Sequence, residues 1–240
     1  MAANESQQVI DLVSVPAGNF LSLSGSDVQG EFEYLKVEND PSFSSEGDVS
    51  FAAWGRRTNP DDYESLFDLP ESHMFEVSNT SGRWRAENNV NPSFRSSGFN
   101  FPLDEWVHIA GVLSDGQATL YKNGEFEVTS NAQKVVASDQ DLYIGILGSQ
   151  MPGNPDAWGG DIDEFKIWNS ALTPEEVRSV FAGESNVQRE NLALELKFDG
   201  STSSEYLADT SGNNNRVTAF VDIEIIQSNS SSEEESGNES

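Results

Sequence analysis

The stretch from Gly160 to Glu176, Gly-Asp-Ile-Asp-Glu-Phe-Lys-Ile-Trp-Asn-Ser-Ala-Leu-Thr-Pro-Glu-Glu, constrains the fold more than any other part of the chain. It reads as a strand, a turn and a capped helix in immediate succession. Asp163, Phe165, Ile167 and Asn169 alternate with Ile162, Glu164, Lys166 and Trp168, the two-residue period of an extended segment with both faces partly covered. Thr173 offers a side-chain oxygen to the next turn, Pro174 suits the first helical position, and Glu176 completes a capping box. Val177, Val180 and Phe181 supply an apolar stripe, and Gly183 can end the helix in a left-handed conformation.

No other segment reads convincingly as a helix. Residues 106–113, 118–122 and 125–129 are β-rich runs, separated by Ser114-Asp115-Gly116-Gln117 and by Asn123-Gly124. Asn-Gly tolerates the positive dihedrals of a type I′ hairpin, so these runs form an antiparallel meander. Further β-type runs at 142–147, 162–168, 192–198 and 216–226 make a two-sheet sandwich the economical architecture. Such a sandwich holds roughly 200 residues as one domain. The expected organisation is an N-terminal arm at 1–8, one domain over 9–227, and a disordered acidic tail at 228–240.

Charge narrows the partners. Forty-one acidic residues oppose 13 basic ones, for a formal net charge of -28. The tail contributes only Glu233, Glu234, Glu235 and Glu239, so the excess is spread through the domain. Self-repulsion on this scale is relieved by salt, since the Debye length falls to about 3 Å at 1 M, which points to a high-salt source. Nucleic acid and anionic membranes would repel the chain. It has no apolar run of membrane-spanning length, and its N-terminus lacks the basic start and apolar core of a signal peptide. With no cysteine, it has no disulfide.

Three segments resemble one family in that family's order. Gly160 to Thr173 resembles the closing strand of laminin-G-like, concanavalin-A-like jelly-roll domains, the group that includes pentraxin-like sandwiches. Glu105-Trp106-Val107-His108-Ile109-Ala110, with Leu120-Tyr121-Lys122-Asn123-Gly124, resembles the family's Trp-x-His segment and its Leu-Tyr-x-Asn-Gly hairpin. Tyr34 to Trp54 resembles its opening strands. The resemblance implies an all-β, two-sheet antiparallel jelly roll with one short helix. One departure stands out: Leu192-Ala193-Leu194-Glu195-Leu196-Lys197-Phe198-Asp199, followed by Ala208-Asp209-Thr210-Ser211-Gly212-Asn213-Asn214-Asn215, resembles the family's first segment but follows the closing helix. That strand either returns to its own sandwich as a circular permutation, which neighbouring termini make inexpensive, or is donated to another copy.

The 209–215 loop is rich in the hard oxygens calcium takes, six to eight of them at about 2.3–2.6 Å. Relatives with this motif often bind a structural calcium shared with the closing strand, which implies Asp163, Asp209, Gly212 and Asn214 as ligands here; an Asx-turn without an ion is the alternative. The closing strand also resembles the carboxylate motif of concanavalin-like glucanases as Asp161-x-Asp163-Glu164. Strict alternation turns Glu164 away from the other two, so the expected chain is no enzyme. Of the five tryptophans, Trp54, Trp106 and Trp168 lie within strand alternation and read as core; Trp84 and Trp158 border turn-rich stretches and are the candidate ligand-binding residues, with Trp84 equally readable as a strand residue and Trp158 as packing against the closing strand. Loops 57–63 and 148–160 are the expected recognition surface.

The function expected first is a non-catalytic recognition or adhesion module at an extracellular or particle surface, binding a glycan or surface protein, with a structural calcium. The second is a structural component of a virus particle or surface layer acting through subunit contacts as a homo-oligomer. A glycoside hydrolase is a distant third.

Overall fold

Apolar side chains at alternate positions of the extended segments meet between two antiparallel sheets. The computed structural model describes residues 16, 18–25, 32–43, 46–60, 63–86, 96, 98–132, 137–151, 155–221 and 223–227. The expected arm at 1–8 and tail at 228–240 lie outside them. In chain order the strands are β1 (Asn19–Ser24), β2 (Tyr34–Val37), β3 (Val49–Arg57), β4 (Tyr63–Leu69), β5 (His73–Ser78), β6 (Ser81–Ala86), β7 (Phe99–Asn100), β8 (Val107–Ser114), β9 (Gln117–Lys122), β10 (Glu125–Asn131), β11 (Leu142–Ile144), β12 (Gly159–Trp168), β13 (Leu192–Leu196), β14 (Val217–Phe220) and β15 (Glu224–Gln227). Helix α1 spans Pro174–Phe181, and α2 is a single turn at Ser203–Tyr206.

The eight-stranded sheet runs β10-β9-β8-β3-β12-β1-β15, with β13 also on β12; the seven-stranded sheet runs β14-β2-β11-β4-β5-β6-β7. Leu35, Phe51, Phe67, Phe75, Trp84, Ile109, Leu120, Ile144, Phe165 and Leu194 are among the side chains that fill the space between them. The predicted hairpins hold: Asp115-Gly116 joins β8 to β9 and Asn123-Gly124 joins β9 to β10, with all four residues at positive φ.

The predicted helix forms with its box closed. Thr173 N–H donates to Glu176 Oε2 at 2.7 Å, and Glu176 N–H donates to Thr173 Oγ1 at 3.2 Å. Val177 and Val180 pack with Leu172 onto Ala52, Ala110, Val112, Tyr121 and Trp168, which lie on the outer face of the eight-stranded sheet. The two alanines are what let the helix approach the strands closely.

The two ends of the chain meet on β12. β1 pairs with its first half, Leu21 opposite Ile162, and β13 with its second half, Leu196 opposite Phe165. β13 and β1 therefore lie end to end along one side of β12. β14 and β15 then add to β2 and β1, each in the same chain. Gly18, at φ +116°, sits where the two strands meet, and a Cβ there would overlap Asp199 Oδ1.

Strict alternation fails in β12. Its register against β3 shifts between Asp163 and Lys166, and Glu164 has φ 49°, so one residue is bulged. Ile162, Phe165 and Ile167 all face the core as a result. Asp163 lies opposite Trp54 on the outer face rather than sharing a face with Phe165.

Candidate binding site

The outer face of the seven-stranded sheet carries polar side chains that are nevertheless buried. Ser65, Asp68, Glu76 and Ser78 are each below 5% exposed. Beside Asp68 and Glu76 lie residues 145–151 and 155–158, which pair through a bridge between Ile146 and Ala157 and through Leu147 N–H donating to Asp156 O at 3.0 Å. The start of the first stretch is pinned to the sheet, where Gly145 N–H donates to Leu66 O at 2.8 Å, and the two stretches are tied together by Trp158 N–H donating to Gly145 O at 2.9 Å. Between them, Ser149 N–H at the short turn 148–150 donates to Asp68 Oδ2 at 2.9 Å.

Buried polar groups of this kind must be paired to be tolerated. Arg85 Nε lies 2.9 Å from Glu76 Oε2 on the neighbouring strand, with both side chains largely out of solvent. Asp156 stands beside this pair, and its carboxyl is pushed above the usual range by burial and by Glu76, while Arg85 pulls the other way. A cavity of 450 Å³ opens next to Arg85, lined also by Glu71, Gln140, Tyr143, Ser149, Gln150 and Met151. Its walls thus combine a guanidinium, a carboxylate and two amides with one aromatic ring and one thioether. That mixture of donors, acceptors and a flat apolar surface is the chemistry of a site for a polyhydroxylated ligand.

The tryptophans fall the other way from the sequence expectation. Trp84 and Trp158 are 0% exposed and belong to the core, so neither is placed to meet a ligand. Trp84 stands edge-on to Phe51, ring centres 5.1 Å apart, and Trp158 edge-on to Phe101 at 5.7 Å. The parity of β6 carries the signal that was missed: Gly82 and Trp84 turn inward, so Arg83 and Arg85 turn outward. Trp54, read as core, lies on the outer face, and Trp106 holds the Arg56 guanidinium 5.4 Å over its ring. Trp168 is buried beneath α1, as expected.

Of the expected calcium ligands, Asp209 is engaged within its own loop. The Asp209 carboxylate accepts from Glu195 N–H, Ser211 N–H, Ser211 Oγ, Asn215 N–H and Asn215 Nδ2, all at 2.9–3.1 Å. Five donors saturate it, and the loop is an Asx-closed turn that fastens to β13. Gly212 and Asn214 are exposed, and Asn214 Nδ2 reaches only Gly212 O at 3.4 Å. Asp163 keeps different company. It is 1% exposed, accepts from Glu164 N–H at 2.8 Å, and is pushed up to about 9 by burial, then by Glu164 and Asp199. Among the described residues no three His, Cys, Asp or Glu side chains converge as a metal cluster.

The remaining closing-strand carboxylates are also engaged. Asp161 accepts from Arg56 Nε at 2.6 Å, and Glu164 pairs with Lys166. His108, the other residue of interest, is buried, and its imidazole is pushed down to about 3 by burial and Lys166. It is therefore a neutral sheet residue at ordinary pH.

Two antiparallel sheets, a helix on one face and a loop-roofed polar cavity on the other define a lectin-type jelly roll. The chain belongs to the concanavalin A-like lectin/glucanases superfamily, whose family model matches residues 29–178. No curated protein matches it. Among solved structures, a Bacteroides ovatus protein described as carbohydrate-binding aligns with TM-score 0.68 at 18% identity, over 89% of this chain and 60% of its own. The heptameric pentraxin of Limulus polyphemus aligns with TM-score 0.62 at 15% identity, over 90% and 97%. The ligand-binding domain of botulinum neurotoxin serotype D, solved with N-acetylneuraminic acid, aligns with TM-score 0.53 at 16% identity, over 70% and 42%. Identities this low establish the shared fold. This chain spans three-fifths of the Bacteroides protein and under half of the neurotoxin domain structure. Among the described residues no helix is long and apolar enough to cross a membrane.

Proposed function

We propose that this chain is a non-catalytic recognition module that takes a glycan in the cavity beside Arg85, at an extracellular or particle surface. The observation that carries this reading is the cavity itself: Arg85, Glu71, Gln140 and Gln150 offer donors and acceptors around Tyr143 and Met151. The carbohydrate-binding relatives named above support it by analogy of fold. A glycan array in calcium and high salt tests it, with release of reducing sugar measured in parallel. Binding without turnover is the expected result; turnover would make the chain a hydrolase of the superfamily.

The calcium expected by resemblance fits the junction of the two chain ends better than the 209–215 loop. Asp199 accepts from Asn19 N–H at 3.1 Å where β13 and β1 meet, its charge bears on the buried Asp163 carboxyl, and a cation there would relieve Asp163 of its charge cost. Calcium there would tie β13 to β1. Chelation should lower the thermal midpoint and calcium restore it; an unchanged midpoint would reject a structural ion. The acidic surface fits a high-salt setting, which a stability series in salt tests directly. A second reading, a surface-layer or virion component acting through copies of itself, draws on the heptameric pentraxin relative. Light scattering on the purified chain separates it from a monomeric module.

A further inference from the structure

A second cavity, of 310 Å³, lies on the opposite side of the sandwich, between the outer face of the eight-stranded sheet and the C-terminal end of α1. Three rings wall it. Trp54 and His108 are cross-strand partners with ring centres 5.2 Å apart, and Phe181, the last residue of α1, stands 5.6 Å from the first and 5.4 Å from the second. Glu164, Lys166 and Lys197 are the charged residues of its lining. Two of the five lysines of a chain with net charge -28 thus share one small cavity.

These charges do not make an anion site. Lys166 is held by Glu164 and lies 3.8 Å from Glu195, and Lys197 lies 3.7 Å from the same buried Glu195. His108 is uncharged at ordinary pH, and its Nδ1 is buried without a hydrogen-bond partner. Ala182 and Gly183, which follow the last turn of α1, line the cavity's rim. What remains is a set of closely interleaved donors and acceptors beside flat apolar area, at the small end of the roughly 300–1,000 Å³ range of ligand pockets. A vicinal diol on a ring matches it: each hydroxyl both donates and accepts, and the ring's C–H face meets the aromatic wall.

We propose that this cavity is a saccharide site in its own right, taking one neutral pyranose ring against Phe181 and Trp54, with its hydroxyls on Glu164, Lys166 and Lys197. It stands whether or not the cavity beside Arg85 binds a glycan. The test is a titration of the full chain with methyl α-glucoside, methyl α-mannoside and methyl β-galactoside, with sodium glucuronate as the anionic comparison, followed by amide chemical shifts. At least one neutral glycoside should shift residues 181–185 and 197, and Phe181→Ala and Lys197→Ala should each weaken it at least tenfold. Lys197 is partly exposed, so its replacement keeps the fold even if the Phe181 variant does not. Shifts confined to the Arg85 and Gln150 region would overturn this site while leaving the other standing. Glucuronate binding tighter than every neutral glycoside, or affinity unchanged in Lys197→Ala, would also overturn it.

Discussion

The two outer faces of the sandwich are covered by different means. On the eight-stranded sheet the cover is α1, which follows β12 directly in the chain and seats valines on alanines, so it is apolar, local and closely fitted. On the seven-stranded sheet the cover is the irregular chain at 145–151 and 155–158, which lies beside Asp68, Glu76 and Arg85 and is held by single hydrogen bonds such as Ser149 to Asp68. An apolar cover adds stability wherever it lies. A polar cover leaves donors and acceptors along its margin, whereas the apolar one meets polar side chains beyond its C-terminal end, at Glu164, Lys166 and Lys197. The 450 Å³ cavity at the margin of the second cover follows from this difference.

The largest way to break the comparison is to excise the aromatic core that both covers depend on. Trp84→Ala and Trp158→Ala should each destabilise the fold by about 3–5 kcal/mol, read as a drop in urea midpoint. A binding-face residue in either position would instead leave the midpoint near the parent's. Next comes Asp163. Its folded pKa of about 9 lies above the ordinary 3.8, so the native state holds a proton that the unfolded chain releases. In calcium-free buffer its contribution is full below the ordinary value and is lost as pH rises toward 9, at up to about 1.4 kcal/mol per pH unit. Asp163→Asn should flatten that slope in unfolding measured across pH; a slope equal to the parent's would show that Asp163 is ionised in the fold. The smallest effect is at the helical cover. Thr173→Ala removes the N-cap oxygen and should cost about 1 kcal/mol, seen as a lower thermal midpoint with ligand affinity unchanged.

Much of the helix-covered half was legible because its signals are local. Asn123-Gly124 specifies its own turn, Thr173-Pro174-Glu175-Glu176 its own cap, and the closing strand its own apolar rhythm. The rest depends on distant partners. The bulge at Glu164 is set by register against β3, and a one-residue shift is invisible to alternation counted within β12 alone. Strands β4 and β5 were missed because the register shift between Ser65 and Phe67 interrupts the period there, and because their outward polar residues are buried by a segment some 80 positions away. Neighbouring turn residues make Trp84 and Trp158 look like ligand candidates, and the alternative of strand and core packing is the one that strand parity at β6 favours for Trp84. The calcium ligands were drawn to a loop whose Asp and Asn residues bond one another, a pattern shared by metal loops and Asx-turns alike.

The central claim is that the cavity beside Arg85 is where this module meets its ligand. Isothermal titration of the strongest glycan from the array, on the parent and on Gln150→Ala and Tyr143→Leu, tests it most directly. The account predicts at least tenfold weaker binding in both variants with thermal midpoints close to the parent's, since Gln150 is exposed and Tyr143 sits at the cavity wall. Equal affinity in all three proteins would contradict it.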